Sequence, residues 1–96
     1  MKLRLLPAAM RDLANGADFY ELQKLGLGSY FNDCLSADIE SLQVCFGVHE
    51  KYRGFYRLLS KKFPFAVYYL INDESIEIYA VLDCRQSPRS IDRSLG

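Results

Sequence analysis

The hydrophobic period of this chain changes once, near residue 50, and that change limits the folds open to it. Before it, Phe31, Leu35, Ile39, Leu42 and Phe46 recur at intervals of four, four, three and four, the stripe of one helical face. After it the interval falls to about two, the signature of strands. The stretch "KKFPFAVYYLI" (61–71) is apolar on both faces if extended. Phe63, Phe65, Val67, Tyr69 and Ile71 take one side, and Ala66, Tyr68 and Leu70 the other. A cationic pair, Lys61 and Lys62, stands at the mouth of this most apolar strand.

The helical half divides in two. "KLRLL" (2–6) reads as a short first strand that stops at Pro7, a residue suited to the first turn of a helix because its missing N–H is not needed there. Ala9, Leu13, Ala17 and Tyr20 then share one helical face. Gly16 sits inside that face and costs about 1 kcal/mol relative to alanine, offset by letting another backbone approach. Gly26 and Gly28 in "KLGLG" mark the turn, Ser29 is the expected cap of the second helix, and Gly47 ends it. So short a link predicts a helical hairpin.

Three strands are expected in the second half: 55–63, 65–71 and 75–82, the last two joined by the polar turn "NDES" (72–75) as an antiparallel hairpin. In the last strand Ile76, Ile78, Ala80 and Leu82 are expected on one face, with Glu77, Tyr79, Val81 and Asp83 on the other, partly covered, face. The tail "SPRSIDRSLG" reads as a frayed end or a short helix. Strand, helix, helix and three strands make an α+β domain spanning residues 1–96, with the hairpin laid on one face of a three-stranded antiparallel sheet.

The 96 residues suffice for one modest core, and no apolar run approaches the ~20 residues that span a bilayer. The apolar part of "MKLRLLPAAM" is too short for a secretory signal, and Asp12 follows it. A cytoplasmic protein without a membrane partner is expected. Cys34, Cys45 and Cys84 are odd in number and lack close pairing, and His49 stands alone, so neither a disulfide framework nor a metal site is expected. No sequence signal calls for a cofactor.

The formal net charge is zero, but residues 1–50 carry four basic against seven acidic side chains, and residues 51–96 carry eight against five. This asymmetry suits an anionic partner at the C-terminal half, although nucleic-acid binders usually show a stronger basic excess. Lys51, Arg53, Arg57, Lys61, Lys62, Arg85, Arg89 and Arg93 interleave with Tyr52, Tyr56, Tyr68, Tyr69 and Tyr79. Two readings stay open at this point: an RNA-binding sheet face built on phosphate contacts and stacking, or solvated strand ends beside core tyrosines. Spacing reveals no catalytic triad, phosphate loop or dinucleotide fingerprint.

Four stretches together carry a resemblance. "LLPAAMRDL" (5–13) runs strand into helix; "FYELQKLGLGSYF" (19–31) forms a helix junction; "YRLLSKKFPFAVYYLI" (56–71) forms a strand pair; "IEIYAVLDCRQSPRSIDRSL" (76–95) supplies the last strand and its ending. In these the chain resembles the RelE/ParE superfamily of toxins from type II toxin–antitoxin modules, most closely its ParE-like, plasmid-stabilization branch. The branch's final His-x-Arg-Arg-x-Pro pattern keeps Arg85 and Pro88, but Asp83 replaces the histidine and Gln86 the second arginine.

The resemblance implies a toxin that arrests growth by non-catalytic poisoning of DNA gyrase, neutralised by a cognate antitoxin in a hetero-oligomer. Its partner-binding candidates are Arg57, Lys61, Lys62, Arg85, Arg89 and Arg93, with Arg85 also the candidate catalytic residue under the alternative. That alternative is a ribosome-dependent mRNA interferase of the same fold. The interferases' strand arginine falls at about Ala66 here and their C-terminal tyrosine near Ile91, which leaves phosphorane charge and proton transfer without those groups. A degenerate, inactive homologue or an antitoxin-binding corepressor is the third reading. The antitoxin segment is expected to be partly disordered and to fold on binding as helix or strand.

Overall fold

In the computed structural model, which describes residues 1–96, the order of elements is β1 (Lys2–Leu5), α1 (Pro7–Gln23), α2 (Leu27–Glu40), a single turn α3 (Leu42–Cys45), β2 (Lys51–Tyr52), β3 (Phe55–Leu59), β4 (Phe65–Asn72), β5 (Ser75–Asp83) and α4 (Pro88–Leu95). The α+β class and the helical hairpin are as expected. The sheet has five strands, not three, in the order β1-β5-β4-β3-β2. β1 joins it parallel to β5, whereas every other pair is antiparallel. The third helix-like segment expected only as an option, α4, is a full two-turn helix. No helix is long and apolar enough to cross a membrane.

Two layers cover the sheet. α1 and α2 pack on one face around Ala9, Tyr20, Phe31, Leu35, Ile39, Leu42, Phe65, Val67, Tyr69, Ile76, Ile78 and Val81. Each fully buried Leu, Ile, Val or Phe there contributes about 1.5–3 kcal/mol. The opposite face holds a smaller cluster, Ala66, Tyr68, Ala80, Leu82 and Ile91, closed by α4 with Tyr52, Phe55 and Leu95 at its margin. β4 is therefore covered on both sides, as its two apolar faces require.

β5 does not alternate as its sequence suggests. Ile76 and Ile78 face the helices, but so does Val81, while Ala80 and Leu82 lie under α4. The cause is a bulge: Tyr68 pairs with Ala80 and Tyr69 with Ile78, leaving Tyr79 as an extra residue. One unpaired residue reverses the phase of all that follow. Beyond Ile78 the β1 side of β5 is open, and Asp12 of α1 covers it, its Oδ2 accepting from the Val81 N–H at 2.9 Å. Burial pushes the Asp12 carboxyl up, opposed by that hydrogen bond.

The helix junction is also built differently from expectation. Ser29 lies inside α2, whose N-cap is Gly26 in the left-handed region at φ 88°. The capping groups come from α1: Glu21 Oε2 accepts from Gly26 N and Oε1 from Gly28 N, both at 2.9 Å. These bonds hold the Glu21 carboxyl below its ordinary value. Gly28 is obligatory for a second reason, since a Cβ there would stand 2.6 Å from the Ala17 carbonyl oxygen. At Gly16 the approach is side chain to backbone, a Cβ falling 2.6 Å from Phe31 Cζ. The apolar stripe of the second helix ends early. α2 stops at Glu40, and Phe46, past α3 in extended conformation, is 38% exposed.

Candidate partner-binding site

The cationic pair at the mouth of β4 is presented by a tight reversal. β3 ends at Leu59, four residues short of the expected strand end. Ser60 N donates to Phe65 O at 2.9 Å, and Phe65 N to Phe63 O at 2.8 Å. Ser60 Oγ donates to Oδ2 of the buried Asp38 on α2 at 2.7 Å. Phe63 is inserted among Tyr20, Phe31 and Tyr30, with ring centroids 4.8, 5.0 and 5.7 Å away. With Ser60 and Phe63 anchored, Lys61 and Lys62 between them are exposed. The pair sits beside a buried strand because an anchor on each side turns it outward.

The next residue ties this loop to the end of β5. Pro64 lacks an N–H, and its carbonyl accepts from Cys84 N at 2.8 Å. Arg85 follows, so Lys61, Lys62 and Arg85 form one rim. Asp83 neutralises Arg85, however: Oδ2 accepts from Nη2 at 2.7 Å and Oδ1 from Nε at 3.0 Å. This fork-to-carboxylate pairing holds the Arg85 pKa up and the Asp83 pKa down. The Tyr20 hydroxyl lies 3.5 Å from Arg85 Nη2, drawing the guanidinium toward α1. The aspartate at the histidine position of the resembled pattern thus sequesters the one arginine retained.

Arg57 approaches the same rim from the α4 side of the sheet. It is half-buried, its guanidinium 5.2 Å above the Tyr52 ring. Burial pushes Tyr68 and Cys84 up while the Arg57 charge opposes the shift in both. Arg89 and Arg93 stand apart from this group. They are exposed on the face of α4 opposite the inward-facing Ile91 and Leu95. The six candidate cations therefore fall into two sets, a rim of Arg57, Lys61, Lys62 and Arg85, and a separate pair on α4. Ala66 and Ile91 belong to one apolar cluster, 0% and 8% exposed, so neither position presents a polar group.

Sequence reasoning missed four polar contacts here. Asp92 fastens α4 to the β2–β3 hairpin, accepting from the Tyr52 hydroxyl at 2.8 Å and from Arg53 Nη2 at 2.7 Å. The hairpin turn itself, Arg53 at φ 54° and Gly54 at φ 84°, has the paired positive φ angles of a type I′ turn. Gly54 was its legible signal. The Tyr69 hydroxyl accepts from Gly47 N at 3.0 Å and shares a hydrogen bond of 2.6 Å with His49 Nδ1. Burial holds His49 below its ordinary value. The cysteines are free thiols, and no group of His, Cys, Asp or Glu converges in a metal-binding arrangement.

Among solved structures, a chain of the chromosomal ParDE toxin–antitoxin (TA) system from P. aeruginosa superposes with a TM-score of 0.70 at 19% identity, covering 84% of this chain and 92% of that chain. At that identity the likeness is one of fold, and it agrees with the fold expected of the RelE/ParE superfamily. No protein-family model and no curated protein matches the sequence.

Proposed function

We propose that this chain is the toxin component of a ParE-type toxin–antitoxin pair, acting by binding rather than catalysis, with DNA gyrase as its target and a cognate antitoxin as its neutralising partner. The observation that carries the proposal is the shared fold with a chain of the ParDE system over 84% of this chain and 92% of that chain. The non-catalytic mode is supported by Ala66 and Ile91. Where the resembled interferases hold an arginine and a tyrosine, this chain packs a methyl group against a buried aliphatic side chain. Cutting RNA requires a base for the 2′-hydroxyl and cations for the developing phosphorane charge, and an apolar cluster under a helix supplies neither. The exposed Lys61 and Lys62 are the partner-facing cations, with Arg57 and Arg85 flanking them and Arg89 and Arg93 on a second surface.

A second reading, an inactive homologue that retains antitoxin binding, is favoured by the Asp83–Arg85 pair, which occupies the rim arginine internally. Pulse-labelling after induced expression in a bacterial host separates the readings. Early loss of thymidine incorporation is the outcome expected for a gyrase poison. Early loss of methionine incorporation would overturn the non-catalytic assignment, and unimpaired growth would favour the inactive homologue.

A further inference from the structure

The end of β5 carries an inference that goes beyond this reading and does not depend on it. β5 runs to Asp83, but β1 pairs only with its residues from Ser75 to Ile78. Cys84 N donates to Pro64 O on the β4 side. By alternation Ala80 and Leu82 also bond toward β4, and the N–H and C=O of Val81 point the other way. Asp12 Oδ2 takes the Val81 N–H at 2.9 Å, and the Val81 C=O meets no strand. Between this edge and α1 lies a cavity of ≈ 250 Å³. Asp12, Asn15 and Phe19, three and four apart on one helical face, form one wall, and Phe65, Val81 and Leu82 form the other.

Charge and shape decide what enters. Asp12 is half-buried and belongs to none of the ion pairs of the structure. Exposed Arg11 acts on it only through its field. Asp83, also at the cavity, is already taken up by Arg85. The uncompensated charge is therefore that of Asp12, and it favours a cation. The N–H and C=O of one extended residue point the same way, so the Asp12 carboxylate on the Val81 N–H stands beside the Val81 carbonyl. A planar guanidinium presents adjacent N–H groups that donate to both, and its face stacks on the Phe19 ring, which is 50% exposed. An ammonium is a compact, strongly hydrated point charge and matches the acceptor pair and the ring less well. Pockets for drug-sized ligands hold about 300–1,000 Å³, so this smaller one takes a single group on the scale of one side chain. We infer that the cavity between α1 and the end of β5 binds an alkylguanidinium group, with Asp12 and the Val81 carbonyl as its acceptors and Phe19 as its stacking wall.

The test titrates the full ¹⁵N-labelled chain with butylguanidinium, with pentylammonium, and with the peptide acetyl-Ala-Arg-Ala-amide, following the Val81 and Asp83 amide resonances. Butylguanidinium is expected to shift both saturably with a Kd on the order of 1 mM, weakening as salt is raised. Pentylammonium, of similar length and equal charge, should bind more weakly. Asp12→Asn keeps an oxygen for the Val81 N–H but removes the charge; it should raise Kd roughly tenfold, the loss of one charge-assisted hydrogen bond, and keep its thermal transition. Phe19→Leu, at an exposed position, should raise Kd about threefold. Unmoved resonances with butylguanidinium, equal binding of pentylammonium, or unchanged affinity in both variants overturns the inference. Peptide binding as tight as that of butylguanidinium assigns the site to an arginine side chain of a partner protein, and binding of butylguanidinium alone assigns it to a small molecule. None of these readouts involves growth arrest, so the toxin reading stands or falls separately.

Discussion

If α4 were only a partner-binding tail, truncating its inward side chain would weaken complex formation and leave stability alone. The structure predicts otherwise for Ile91→Ala. Ile91 is 8% exposed and closes the second cluster over Ala66, Tyr68, Ala80 and Leu82. Deleting three carbons from such a site costs about 2–5 kcal/mol in transfer and cavity terms. The value here belongs near the lower bound, about 2–3 kcal/mol, because α4 is terminal and can settle into the space. For a domain of this size each kcal/mol lowers the transition by about 4–8 °C, so a fall of roughly 10–20 °C is expected by circular dichroism. Exposed alanine substitutions at Arg89 and Arg93, on the outer face of α4, serve as the control and should leave the transition in place. An Ile91→Ala chain that melts with the parent would refute the packing argument. It would restore the view, natural from the polar sequence of the tail, that residues 89–96 serve binding more than stability.

Three further outcomes follow from named contacts. Arg85→Ala should keep the fold, since the Asp83 pair is solvent-exposed and screened, and should reduce growth inhibition; full inhibition by a folded variant removes Arg85 from the site. Gly28→Ala should destabilise by about 1–2 kcal/mol in urea titration, the overpacking cost of about 1–3 kcal/mol against the Ala17 carbonyl exceeding the gain in helix propensity of about 1 kcal/mol. A variant as stable as the parent would show that α1 and α2 separate at no cost. His49 has a folded pKa held below its unfolded one, so the unfolded chain binds more protons as pH falls below about 6.5. Stability should therefore decline as pH is lowered from the unfolded pKa to the folded one and level off beneath it. His49→Gln should flatten urea midpoints across that window, and an unchanged slope would exclude the burial of His49 as its origin.

How much of this was legible in advance depended on whether the signal was local. Periods of two and of three to four residues arise from backbone geometry within a few positions, and they sufficed for the hairpin of α1 and α2, for β4 and β5, and for the two apolar faces of 65–71. Pro7 at the first turn of α1 and the glycines between the helices were equally local. The sites of cation presentation were half legible: Lys61 and Lys62 before Phe-Pro could be seen, but not that Asp38 and three aromatic rings hold them outward.

The remainder came from residues far apart in sequence. β1 finds β5 more than 70 positions away, and a parallel pairing leaves no turn signature to read. The bulge at Tyr79 depends on where β4 sets its register, so a strand with plain alternation inverts partway along. Glu21, an ordinary charged helix residue by its spacing, becomes the cap of the next helix, and Asp83 becomes the partner that occupies Arg85. The sequence alone determined the long segments, α1, α2, β4 and β5, and which of their faces must be covered, because those follow from local geometry and apolar area, whereas the two-residue β2 and the single turn α3 left no periodic signal. Which face meets which, which edge stays open and which charges are spent internally were decided only in the tertiary structure, because each depends on distances that form when the chain closes on itself.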